Sequence, residues 1–526
     1  MSLHAPVRET SGTDRPGPAR ARPVAGALMG VATAAVALGV AHLIAGLIGR
    51  EASPVIAVGS AAIDRTPEWL KSFAIRTFGS SDKAVLLAGI GIVVMIASVL
   101  LGIASVRRRG VGVIGVVVLG AVGVVAALTR PTASAVDALP SIVGASAGVI
   151  AFLRLHARLA PAPTAPEPAV GVERRRFLVG GAAALGLAAV AGGIGQLLSR
   201  RFAADESRAA VAIPPPADPA PAAPALAQLG VAGISPFITP NADFYRVDTA
   251  LIVPSVRAED WTLRVHGMVD RQLNLGFDQL LARDLIERDI TLTCVSNEVG
   301  GPYVGNARWV GAPLAALLEE AGVDPAADQL VSRSVDGFTV GTPTAAVTDG
   351  RDAMLAVQMN GEPLPLEHGF PVRMIVPGLY GYVSATKWIT ELELTTFDAF
   401  DPYWVRRGWA EQAPIKTMAR IDTPRPLAKI PGGGAVIAGV AWAQRRGIER
   451  VEVRVDAEPW ADAELAAEDT VDTWRQWRYP WTGASPGSHT LQVRATDGSG
   501  STQTSERAEP FPDGATGQHQ LVVTVT

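Results

Sequence analysis

The chain has 526 residues, with 46 basic and 50 acidic side chains, a formal net charge of −4 and a pI near 6.0, so no basic face for nucleic acid is expected. Its mean hydropathy is +0.25, and the apolar residues crowd before residue 200; the later part has a globular composition and is long enough to bury one or two cores. The single cysteine, Cys294, excludes an internal disulfide, a CxxC zinc site, a CxxCH haem attachment and a cysteine-ligated iron–sulfur cluster.

Five segments approach the roughly 20 apolar residues that cross a bilayer: 24–49, 84–106, 111–129, 137–153 and 177–199. The fourth is short and interrupted by Pro140 and Ser141. Arginine clusters mark one side of these spans: Arg15, Arg20 and Arg22, then Arg107 to Arg109, Arg154 and Arg158, and Arg174 to Arg176. Placing all of them in the cytoplasm predicts five crossings, an inside N-terminus (residues 1–22) and everything after about residue 200 outside. The multi-pass region divides into four helices over 23–160 and a fifth in 161–200. That fifth segment opens with Glu173-Arg174-Arg175-Arg176-Phe177-Leu178-Val179. The stretch resembles a twin-arginine export signal, which carries proteins across already folded; the alternative is a plain anchor obeying the positive-inside rule. Only His42 lies inside a span, with His156 at the end of the fourth. The bundle therefore lacks a bis-histidine haem pattern, and we expect an anchor or docking platform in the lipid membrane.

Residues 211–226, VAIPPPADPAPAAPAL, carry six prolines and predict an extended, semi-rigid spacer within a 201–234 linker. From 235 to 413 strands and helices mix without a βαβ repeat: Trp261 to Val265 alternates as a strand, Phe277 to Ala282 reads as a short helix, Ile290 to Cys294 alternates again, Pro313 to Ala321 is a helix with proline at its start, and Arg373 to Val376 is a strand. This is an α+β pattern. From 414 to 526 short strands separated by Gly- and Asp-rich turns predict an immunoglobulin-like β-sandwich.

The chemistry centres on Thr291-Leu-Thr-Cys294-Val-Ser-Asn297-Glu-Val-Gly300-Gly301-Pro-Tyr303-Val-Gly305-Asn306-Ala-Arg308-Trp309. A cysteine ending an apolar strand is by itself an ordinary small core residue. Three further stretches change its weight: Thr239-Pro240-Asn241-Ala242-Asp243-Phe244-Tyr245-Arg246; His368-Gly369-Phe370-Pro371-Val372-Arg373 running on to Gly381 and Lys387-Trp388; and Pro402-Tyr403-Trp404-Val405-Arg406-Arg407-Gly408-Trp409. Taken in chain order, with Thr239 to Arg246 ahead of the cysteine segment, the four stretches resemble the molybdenum-cofactor domain of the sulfite oxidase family. The tail, with Gly439-Val440-Ala441-Trp442 and Gly514-Ala515-Thr516-Gly517, resembles that family's immunoglobulin-like dimerisation domain.

The resemblance implies a molybdopterin-dependent oxidoreductase holding molybdenum with molybdopterin. Cys294 becomes the thiolate ligand of the metal, a soft donor suited to a sulfur-rich site. Asn241, Phe244, Tyr245, Arg246, Asn297, Arg308, His368, Arg373, Ser384, Thr386 and Lys387 become cofactor-binding positions. Arg406 and Arg407 match the region that supplies an arginine to a substrate anion. Tyr303 is either a proton-handling hydroxyl or a packing residue; Arg246 and Arg373 taken alone are equally surface ion pairs. One departure stands out. The family usually carries an arginine shortly after the cysteine and its asparagine, whereas here Asn297 is followed by Glu298 and Val299, which weakens a pocket for a dianion.

The expected activity is two-electron oxygen-atom transfer on a small-molecule substrate. The alternatives are an S-oxide or N-oxide reductase resembling the methionine sulfoxide reductases of the family, and a cofactor-free membrane-anchored binding protein. No haem, flavin or iron–sulfur signature is present in the sequence, so a separate electron-transfer partner is expected, either a c-type cytochrome or a membrane haem protein. A homodimer through the C-terminal domain is a further expectation.

Overall fold

The computed structural model describes residues 18–78, 81–159, 170–200 and 203–526. It divides into two compact units, 1–201 and 202–526, each described by itself.

The first unit contains helices α1 (Pro18–Ile48), α2 (Pro54–Arg65), α3 (Glu68–Phe78), α4 (Asp82–Ser105), α5 (Arg109–Leu128), α6 (Leu139–Ala157) and α7 (Val170–Ser199). Among the described residues five stretches are long and apolar enough to span a membrane: Pro23–Ile48, Asp82–Ser105, Arg109–Leu128, Ala135–Ala157 and Arg175–Ser199. The fourth is longer than its proline suggested. Pro140 stands in the first turn of α6, where its missing N–H costs nothing, and a 3-10 turn capped by Asp137 on the Ser134 amide extends the stretch backwards. Helices α2 and α3 were not read from the sequence. The twin-arginine-like stretch is helical, with side chains described from Arg175 onward; residues 1–17 and 160–169 lie outside the described residues.

Helix α1 is the hub of this unit, and small residues let its neighbours approach. Gly30 faces Ser98 and Gly102 of α4, Gly39 and Gly46 face Ala188 and Gly195 of α7, and Gly144 of α6 faces Ala37 and Ala41. That is how helices associate where apolar burial supplies no driving force between them. The outward side is apolar: Ile92 and Val93 of α4 are 60% and 65% exposed.

The second unit opens with helix α8 (Asp205–Ala210) and the proline-rich stretch. That stretch is extended, as expected, but it is no free spacer. Val211, Ile213 and Ala223 pack on the domain core, the Asp218 amide donates to Leu285 O and Asp218 O accepts from the Glu287 amide, and Arg308 donates to Pro221 O at 3.0 Å. Prolines leave few amides to satisfy, so an extended strap can dock with a handful of bonds.

The α+β region follows: β1 (Thr262–Gly267), β2 (Leu273–Gly276), α9 (Phe277–Leu281), β3 (Ile286–Thr293), β4 (Val304–Pro313), α10 (Leu314–Ala321), β5 (Gln329–Ser334), β6 (Thr339–Pro343), α11 (Thr344–Thr348), β7 (Met354–Met359), β8 (Glu362–Pro363), β9 (Arg373–Ile375) and β10 (Ile389–Thr395). One sheet runs β2-β1-β10-β5-β6; the other runs β3-β4-β7-β8, with β9 on β7. Both share a core that includes Trp261, Leu263, Trp309, Leu318 and Met374.

The C-terminal region is β11 (Met418–Thr423), β12 (Lys429–Ile430), β13 (Gly434–Trp442), β14 (Ile448–Val455), β15 (Ala461–Asp462), β16 (Glu464–Leu465), β17 (Arg475–Thr482), β18 (Gly487–Asp497) and β19 (His519–Val525). Two sheets, β11-β13-β17-β16 and β12-β19-β18-β14-β15, enclose a common core of Ile437, Val453, Trp477, Val493 and Val523.

This region also covers the free edge of β3. The Thr291 amide donates to Asp472 O at 2.9 Å, Gln444 donates to Thr291 O at 3.1 Å, and the Trp474 amide donates to Thr291 Oγ1 at 2.7 Å. An exposed edge would be a pairing liability; here it is closed from within. The cover also explains why β3 is not one-sided: Thr291 and Thr293 are as buried as Ile290 and Leu292.

Candidate active site

Strand β3 ends at Thr293, and Cys294 begins the loop that returns at Tyr303 into β4. The loop closes on itself: the Cys294 amide donates to Tyr303 O at 3.0 Å, and Asn297 Oδ1 accepts the Tyr303 amide at 2.8 Å. Asn297 is buried, so its role here is to hold the loop. Cys294 is a free, partly buried residue. Burial pushes its pKa up, opposed by hydrogen bonds from Ser296 and by the charge of Lys387.

Beside it lies a cup built from the second and third stretches. Phe244 is buried, stacked on Tyr245 at 5.2 Å and edge-on to Trp309 at 5.9 Å and to His368 at 5.6 Å. Tyr245 faces Tyr303 at 6.3 Å. Burial and the neighbouring Cys294 hold the Tyr245 phenol protonated, its pKa raised well above the ordinary value. Asn241 is committed to the wall: its amide donates to Met359 O and accepts from Asn360. His368 is buried and its Nε2 lies 3.2 Å from Asn241 O. Burial, with Arg373 and Lys387 nearby, lowers its pKa to about 3, so the ring is neutral.

The cations of the cup are unequal. Arg246 and Lys387 share one buried carboxylate, Asp248, at 2.8 and 2.6 Å. Burial lowers Lys387 to about 8, against the pull of Asp248. Arg373 has no carboxylate partner among the described residues. It donates to His368 O at 3.2 Å, its guanidinium stands 5.1 Å over the Trp309 ring, and its Nε is buried without an acceptor. Burial lowers its pKa to about 10.

A buried cation with an unfilled donor is costly unless an anion completes it. Molybdopterin carries a phosphate, and arginine offers the fork for one. The free thiol, the excess of positive charge and the orphaned Arg373 nitrogen therefore fit the implied cofactor. Asp248 has no signal in the sequence; it was missed because only the fold brings it to Lys387, 139 positions away.

Other expected residues lie elsewhere or serve the frame. Arg308 pairs with Asp289 across the β3–β4 register, at 2.9 and 2.7 Å, and its remaining reach goes to the strap. The Ser384 hydroxyl donates to Leu379 O and Tyr380 O, and Thr386 pairs with Ser332 at 2.6 Å. Their side chains are spent on the wall, although the turn that bears them adjoins Thr293. Arg406 is exposed, while Arg407 folds back, donating to Tyr403 O at 2.8 Å and stacking 3.5 Å over the Tyr403 ring.

Comparison with known proteins agrees with this geometry. Residues 250–404 match the oxidoreductase molybdopterin binding domain family. The mitochondrial sulfite oxidase of Drosophila melanogaster is 30% identical over 309 residues, covering 50% of this chain and 52% of that protein. Its Mus musculus counterpart is 29% identical over 289 residues, 46% of this chain and 52% of that protein. The NADH nitrate reductase of Spinacia oleracea is 31% identical over 179 residues, 29% of this chain and 19% of that protein. The chain thus spans about half the length of the sulfite oxidases it matches. Among solved structures, the sulfane dehydrogenase SoxCD from Paracoccus pantotrophus aligns over 55% of this chain and 83% of that one, at 24% identity and a TM-score of 0.49. Residues 250–404 thus carry a molybdopterin-binding oxidoreductase domain, and the chain is similar to the sulfite oxidases over about half of their length.

Proposed function

We propose that this chain is a membrane-anchored, extracytoplasmic molybdenum-cofactor oxidoreductase that moves an oxygen atom to or from a small substrate in a two-electron step. The observation that carries the reading is Cys294 and a buried Arg373, both acting on Tyr245, with no carboxylate partner for Arg373 among the described residues. Bound molybdenum with molybdopterin supplies the redox chemistry and the oxygen-atom transfer. The chain's own residues do the rest. Cys294 offers the thiolate, Arg373, Arg246 and Lys387 hold the anionic cofactor, Phe244 and His368 wall it, and Tyr245 and Tyr303 border the thiol from one side. Electrons pass to or from a separate protein, a c-type cytochrome or a membrane haem protein. The arginine clusters support a reading with the N-terminus in the cytoplasm and the unit after residue 201 outside; the C-terminal sheets are read as the immunoglobulin-like dimerisation domain, and the twin-arginine-like stretch as its export signal.

A second reading, reduction of S-oxides or N-oxides, is favoured by two observations. Glu298 stands where a cation usually follows the cysteine, and Arg407 is folded onto Tyr403. Both reduce the attraction for a dianion. The test is metal and pterin analysis of purified protein, followed by electron paramagnetic resonance during titration with sulfite and then with oxides. Stoichiometric molybdenum with a signal that responds to either class is expected. Protein lacking molybdenum and pterin sinks the proposal, and reoxidation by oxides without reduction by sulfite selects the second reading.

A further inference from the structure

The outer turn of the Cys294 loop, Gly300-Gly301, is held from outside its own domain. Arg420 on β11 donates through one terminal nitrogen to Gly301 O at 2.8 Å and through the other to Ser235 Oγ at 2.9 Å, while its Nε pairs with Asp422 at 2.7 Å. All three nitrogens are engaged, and the side chain is 11% exposed. His519, at the start of β19, lies flat against Gly300; a Cβ there would overlap the imidazole. The ring is anchored in turn, its Nδ1 accepting the Ile421 amide at 3.0 Å. Gly300 has φ +81°, a conformation glycine holds without strain. Next to the clasp is a groove of about 400 Å³ bordered by Gly300, Pro302, Val304, Arg425 and Asp243, so the loop has room to shift once the clasp is removed.

Resting on the function proposed above, we infer that Arg420 and His519 are positioning residues of the oxidoreductase site: the C-terminal sandwich sets the conformation of the 294–303 loop and, through it, the placement of the Cys294 sulfur. Neither residue belongs to the cofactor cup. Their effect runs through the backbone of Gly300 and Gly301, and small displacements of a reacting centre carry large rate penalties.

The experiment compares purified full-length wild type with R420M, H519A, G300A and the double variant G300A/H519A. It measures molybdenum content, melting temperature, the Mo(V) electron paramagnetic resonance spectrum, and kcat and KM separately. R420M and H519A are expected to hold molybdenum to within about twofold of wild type while their spectra shift or split and kcat falls about tenfold to a hundredfold at nearly constant KM. G300A is expected to disturb the spectrum in the same sense, and removal of the opposing ring in G300A/H519A to restore part of it. Wild-type spectra and kcat in R420M and H519A overturn the inference, as does a G300A defect that H519A leaves untouched. If R420M does not fold, the His519 and Gly300 variants decide. Wild-type protein without molybdenum is a different failure, that of the proposed function itself.

Discussion

Arg308 and Arg373 sit in one domain, yet their surroundings are opposite. Arg308 meets a buried carboxylate in bidentate fashion, and one of the two nitrogens that do so also donates to the proline-rich strap. Arg373 is more deeply buried, meets no carboxylate among the described residues and leaves Nε unfilled. The first face of the domain is electrostatically complete and serves the frame. The second waits for an anion. A buried pair is neutral ground for stability, whereas an unpartnered buried cation is tolerated where something else completes it. Four measurements would break or sharpen this contrast.

The largest effect belongs to Cys294. Cys294→Ser replaces a soft thiolate with a poor ligand for the metal, and we expect activity to fall on the order of 10³-fold or more, about 4 kcal/mol in the barrier. Melting should change little, because the residue is only partly buried. A variant matching wild type in every redox assay removes Cys294 from the site. Next comes Arg308→Met. It strands Asp289, 3% exposed, without its partner, and should cost about 3 kcal/mol in chemical denaturation; kcat per molybdenum should hold. If kcat collapses while stability stays put, Arg308 belongs with the cup after all.

The third measurement is pH. His368 and His519 are buried neutral, lowered to about 3 and about 4 from an ordinary value of 6.5, chiefly by burial and then by neighbouring arginines. In the unfolded chain they bind protons that the folded chain refuses, so stability falls as pH drops from 6.5 toward 4 and is fully present above 6.5. His519 alone should contribute on the order of 2–3 kcal/mol over that window. Melting curves of His519→Gln should show a shallower slope between pH 6.5 and 4; a slope equal to wild type contradicts the buried neutral ring. The smallest effect distinguishes the two arginines most sharply. In cofactor-free protein Arg373→Met should be neutral or stabilising by about 1 kcal/mol, while the same variant loses molybdopterin on purification. Destabilisation of the apoprotein comparable to that of Arg308→Met would show that Arg373 is also part of the frame.

Much of the molecule was legible. The candidate spans could be read because bilayer crossing needs one long apolar run, and the run itself is the signal; the fourth holds as expected and runs longer, because proline opens a helix as readily as it breaks one. The cup's members were visible as motifs. Their division of labour was not. Arg308 and Arg373 look alike in sequence, and what separates them is whether a strand partner such as Asp289 stands opposite. The strap misled for a related reason: proline content reports extension, not whether an extended chain is bound to something.

The sequence by itself determined the five helices long and apolar enough to cross a bilayer, the α+β and all-β order of the region after them, and the lone cysteine at the end of a strand, because each rests on local periodicity or on a residue's own chemistry. Tertiary structure alone decided that Asp248 joins Arg246 to Lys387, that Arg373 is left without a counter-ion, and that Arg420 and His519 reach the cysteine loop from the other domain. These are pairings between positions far apart in the chain. Nothing local encodes them, since a side chain's charge acts on whatever the fold brings within a few ångströms.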